Sequence, residues 1–126
     1  MLHLTRDDPA TIAFVLRCLQ RGAIGAAEVR EWAEETLLHT GGDCPIYVEG
    51  LTVFDGTLAE ALHVVAFTPE RRFGAEEDAA LDALAALRKQ DAAEPDDDGG
   101  AAARLEQRYP DTLREFRAAF PFLRLP

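Results

Sequence analysis

The side chains best suited to covalent or metal chemistry are two cysteines, Cys18 and Cys44, and three histidines, His3, His39 and His63. His39 stands five residues before Cys44, which precedes Pro45 and a predicted helix start. A thiol ahead of a helix N-terminus with an imidazole nearby is how cysteine nucleophiles are built, but such a pair needs a third group to orient the histidine. No cysteine-hydrolase motif supplies one, so Cys44 is expected to be a half-buried loop thiol. Cys18 flanks an apolar stripe and is expected to be a small core residue. His39 and Cys44 offer two ligands where a structural zinc takes four. The run Asp96-Asp97-Asp98-Gly99-Gly100 lacks the alternating ligands, the sixth-place glycine and the twelfth-place glutamate of a calcium loop. Gly41-Gly42 and Gly99-Gly100 lack the context of phosphate loops, and Glu31, Glu34 and Glu35 have no Glu-x-x-His counterpart, which leaves them a solvated helix face. No catalytic residue, metal or cofactor is expected.

What remains is charge. The chain carries 23 acids against 13 bases, a formal net charge of −10, which repels nucleic acid and anionic lipid and draws in basic partners. Nine acids against two bases lie between Ala75 and Gly100. The candidate partner-binding residues are therefore Glu76, Glu77, Asp78, Asp82, Asp91, Asp96, Asp97 and Asp98. Glu76, Glu77 and Asp78 also fall in the first turn of a predicted helix, where acids complement the helix dipole.

The elements that must carry these residues read as helices. At 126 residues the chain suits one core and is too short for two ordinary domains. No apolar run reaches the ~18 residues of a membrane span, and no signal-peptide pattern opens the sequence, so a cytoplasmic protein with two reduced cysteines is expected. Asp7 or Asp8 before Pro9 marks a helix start, with Ile12, Val15, Leu16 and Leu19 as its stripe and Gly22 as its stop. Val29, Trp32, Ala33, Thr36 and Leu37 form the stripe of a second helix, which the short Ala23-Ile24-Gly25 connection turns back on the first. Its Gly25-to-Glu28 start is half a capping box, because glycine has no side-chain acceptor.

Residues 46–54 have the β-branched and aromatic content of a strand, but a lone strand has no partner, and Pro45 suits a first helical turn; a helix of about two turns is expected. After the Asp55-Gly56 turn, Thr57 and Glu60 form a full capping box, and Pro69 is the expected stop. Glu70-Arg71-Arg72 is expected to be exposed. A helix over about Ala75–Asp91 buries Leu81, Leu84 and Leu87, residues 93–100 form a mobile acidic loop, and two helices follow at about Ala101–Arg108 and Asp111–Phe120. Arg104, Arg108, Arg114 and Arg117 are expected in solvent or paired with the acidic segment.

The wording Gly22-x-Ile24-x-x-x-Glu28-Val29-x-x-Trp32-Ala33, followed by a short loop and a second helical hairpin, resembles small helical bacterial proteins of the immunity type, across roughly residues 10–67. That resemblance implies an inhibitor that occludes a cognate basic toxin with an acidic surface, and it transfers no binding residue. The expectation is thus an all-α, single-domain bundle of about six short helices built from helical hairpins. Its expected function is to bind a basic protein without catalysis. One alternative is a structural or regulatory subunit that binds through an apolar face, with Phe67, Phe73, Phe120, Phe122 and Leu123 as candidates. Another is a small-molecule binder with a pocket near Trp32, Tyr47 and Cys44.

Overall fold

The computed structural model describes residues 4, 5, 8–41, 43–93 and 100–123, and every regular element among them is a helix. The seven helices among the described residues are α1 (Ala10–Arg21), α2 (Ala26–Thr40), α3 (Tyr47–Leu51), α4 (Leu58–Val65), α5 (Ala75–Ala93), α6 (Gly100–Arg108) and α7 (Pro110–Ala119). The all-α class is as expected, and the expected strand-or-helix segment resolves as helix. None of the helices is long and apolar enough to cross a membrane, among the described residues. Contacts gather into two compact units. One is built from residues up to Gln20 together with Ile24–Arg72, the other from Arg21–Ala23 together with the chain from Phe73 onward.

In the first unit, α1 begins where Pro9 accepts the first helical bond from the Ala13 amide at 2.8 Å. Asp8 lies just ahead of it, its amide bonded to Thr5 Oγ1, and Asp7 is outside the described residues. The helix is buried most of the way round: Ala13, Phe14 and Cys18 are as enclosed as Ile12, Val15 and Leu16, whereas Leu19 is only half-buried. Gly22, with φ +83°, stands just past its end in the left-handed region.

Helix α2 buries Val29, Trp32, Ala33 and Thr36, with Leu37 half-buried, as its stripe requires. At its start only half the capping box forms: Glu28 Oε1 accepts from the Gly25 amide at 2.9 Å. Helix α2 packs on α3 and α3 on α4. Val48, Leu51 and Phe54 are buried, and Arg30 donates to the Phe54 carbonyl at 3.0 Å with its guanidinium 5.8 Å from the Phe54 ring. Helix α3 is shorter than the two turns expected. It closes with the Thr52 hydroxyl on the Glu49 carbonyl.

Thr57 Oγ1 caps the Glu60 amide at 3.1 Å, but the expected full box forms only in this half, because Asp55 Oδ1, not Glu60, accepts from the Thr57 amide and also from its hydroxyl. Helix α4 stops four residues before the expected Pro69 because Ala66 adopts φ +69° and returns its amide to the Leu62 carbonyl. Arg71 is also not simply exposed. It donates to the Ala10 carbonyl at 3.1 Å and lies 5.5 Å from the Phe14 ring.

In the second unit, α5 packs on α6 and α7, and α6 on α7. Ala80, Leu81, Leu84 and Leu87 of α5 and Leu113, Phe116 and Phe120 around α7 are buried, with Phe116 and Phe120 edge to face at 5.0 Å. The ends of the expected 93–100 loop are helical, since Ala93 closes α5 and Gly100 opens α6; residues 94–99 are outside the described residues. Pro110 fills the first position of α7, where its missing amide costs nothing.

Candidate functional site

The acids read from the sequence do not form one uniform surface. Glu76 is exposed at the first turn of α5. Glu77 is half-buried, and its Oε1 accepts from the Gly74 amide at 3.0 Å, satisfying a donor at the helix start. Asp78 Oδ2 lies 3.3 Å from Arg21 Nη2, and Asp82 Oδ1 lies 3.4 Å from Arg21 Nε. The buried Nε lacks hydrogen-bond geometry to any acceptor, so the Asp82 contact is charge proximity alone. Asp91 is in the last turns of α5, and Asp96, Asp97 and Asp98 lie outside the described residues.

Glu77 and Asp78 thus have structural work. A cleft of about 310 Å³ is lined by Glu76 and Glu77 of α5, Arg108 and Tyr109 at the α6–α7 corner, and Asp111, Thr112 and Glu115 of α7. Asp111 and Glu115 are four apart and share one face of α7. They were not singled out from the sequence, although that spacing after Pro110 is legible there. Asp111 Oδ1 lies 3.6 Å from Arg114 Nη1, and both are largely exposed, so this pair holds little. Arg108 lies 5.3 Å from the Tyr109 ring and is the one cation lining the cleft among the described residues. Arg117 pairs with Glu106 at 3.0 Å, a bond between α7 and α6.

The candidate thiol site is not assembled. His39 Nδ1 lies 2.9 Å from the Glu35 carbonyl and 3.9 Å from Glu35 Oε2, which ties the imidazole to its own helix. Cys44 is half-buried ahead of α3, and Cys18 is buried. Tyr47 donates its hydroxyl to the Leu4 carbonyl and meets Phe67 edge to face at 5.9 Å. Burial, with a smaller contribution from Cys44, pushes its phenol well above the usual range. Trp32 is 2 % exposed, so the indole has no face open to a ligand. No three His, Cys, Asp or Glu side chains converge to hold a metal among the described residues.

The apolar-face candidates also change. Phe120 is 1 % exposed and Phe67, Phe73, Phe122 and Leu123 are half-buried, whereas the large apolar side chains that face water among the described residues are Leu38, Ile46 and Val53. Comparison with family models, characterised proteins and solved structures found no match to this chain.

Proposed function

We propose that the chain is a non-enzymatic acidic protein-binding module, an immunity-type inhibitor that captures a basic protein. The supporting observation is the cleft in the second unit, which among the described residues is lined by four carboxylates, Glu76, Glu77, Asp111 and Glu115, and one cation, Arg108. A concave anionic surface steers a basic partner and raises its rate of encounter. The tagged chain, recovered from its native cells, is expected to bring down a basic protein, and co-expression is expected to suppress that protein's toxicity. A complex whose partner is neutral or acidic contradicts the reading.

A second reading, a regulatory subunit bound through an apolar face, is favoured by one observation. Ile46 and Val53 are 89 % and 80 % exposed in the first unit.

A further inference from the structure

The cleft of the second unit holds a polar group that the fold does not use. Thr112 borders it, is only 7 % exposed and makes no side-chain hydrogen bond among the described residues. A buried hydroxyl left without a partner is costly, and most native structures avoid one. The side-chain atom that is both sealed and unpartnered among the described residues is Arg21 Nε, not Thr112 Oγ1. The Thr112 oxygen therefore keeps access to the space beside it, which is the cleft.

The cleft's own cation does not answer its acids. Arg108 is exposed, lies against the Tyr109 ring and makes no ion pair among the described residues. Glu76, also exposed, makes none either. Among the described lining residues, four carboxylates face Arg108 and the roughly half positive charge of the α7 N-terminus, and the balance is negative.

We propose that the cleft takes the guanidinium group of one arginine of the partner protein. The Thr112 hydroxyl accepts one of its N–H groups, Glu76 and Asp111 accept others, and the Tyr109 ring is the wall it packs on. Volume sets the scale: about 310 Å³ is at the lower end of the roughly 300–1,000 Å³ of ligand pockets, room for a side chain and not for a helix. The lining sets the head group. A lysine ammonium is a strongly hydrated point charge that exposed acids meet in water, whereas a guanidinium is weakly hydrated, carries several coplanar donors and stacks on aromatic rings. Only the guanidinium has use for a buried hydroxyl and a ring in the same place. Arg108 already brings one to 5.3 Å from the Tyr109 centroid, and so competes with the incoming group. The proposal rests on the protein-binding reading above and names the group that the cleft selects.

The probe is a blocked Gly-Gly-Arg-Gly-Gly peptide, with lysine and neutral citrulline at its centre as controls. Binding is followed by backbone amide shifts of the isotopically labelled full chain, and perturbation is expected at residues 76, 77 and 108–115. The lysine peptide should bind about fivefold more weakly than the arginine peptide, and the citrulline peptide more weakly still. Thr112→Val, which keeps the side chain's shape, should weaken the arginine peptide about tenfold and leave the lysine peptide within about twofold. Arg108→Ala should strengthen the arginine peptide about threefold by removing a competing like charge. Both variants should keep the parent's helical circular dichroism. No binding of the arginine peptide overturns the proposal, as does equal binding of the citrulline peptide or weaker binding in Arg108→Ala. Butylguanidinium binding more tightly than the peptide also overturns it, by assigning the cleft to a free small molecule. If the basic protein recovered from native cells loses affinity on charge reversal at Glu76 and Asp111 but not in Thr112→Val, the proposal fails and the protein-binding reading stands. A neutral or acidic partner defeats both.

Discussion

Arg21 and Asp78 hold each other across 57 positions of sequence, with Nη2 3.3 Å from Oδ2 and the Asp78 side chain only 18 % exposed. An acid that looked like interface is an internal tie. Asp82, four residues on, reaches the same guanidinium only by proximity and is more exposed. Asp78→Ala should cost about 1 kcal/mol in urea unfolding and Asp82→Ala less than about half of that, because exposed pairs contribute little. Equal costs would contradict the assignment. Charge reversal at Asp78 is accordingly a poor probe of binding.

The close approach of α3 to α4 at Gly50 gives a second expectation. Gly50→Ala puts a methyl group 2.7 Å from Val64 Cγ1, and a β-branched helical residue has little rotamer freedom to yield. The variant should lose about 1–3 kcal/mol despite alanine's better helix propensity, and Gly50→Ala/Val64→Ala should recover part of it. A stabilised Gly50→Ala would show that the helices are not in contact there.

Ala66 ends α4 with φ +69°, a conformation that costs an L-residue roughly 1 kcal/mol. Ala66→Gly is expected to raise the thermal midpoint, the relief of strain exceeding the added freedom of the unfolded chain. A lower midpoint would mean that the alanine methyl holds a contact worth more than the strain.

Tyr47 sets the response to alkali. Its phenol is raised by burial, so the native state keeps the proton that the unfolded state releases near pH 10. The resulting stability is complete below that pH and declines as pH rises toward the native value. Unfolding midpoints should fall between about pH 9.5 and 11 in the parent and fall less in Tyr47→Phe, although that variant starts lower through loss of the bond to the Leu4 carbonyl. Parallel pH profiles would exclude Tyr47 as the cause.

Local signals in the sequence located the helices well. The Thr57 cap, Gly22, Pro110 and the Trp32 stripe act within a few residues of themselves, and each stands where its chemistry placed it. The stop at Ala66 was not legible, because no residue preference favours alanine with positive φ. Nor were the arginines. Arg30, Arg71 and Arg88 bind the carbonyls of Phe54, Ala10 and Ala23, partners 24, 61 and 65 positions away that only the folded chain brings near.

The most direct test of an anionic binding surface is the association rate of the chain with the basic protein recovered from its native cells. It is measured at low and high salt for the parent and for Glu76→Lys/Asp111→Lys/Glu115→Lys. The parent rate should fall steeply with salt, and the triple variant should associate about tenfold more slowly at low salt and lose most of that dependence. Equal rates for the two proteins, unaffected by salt, would contradict it.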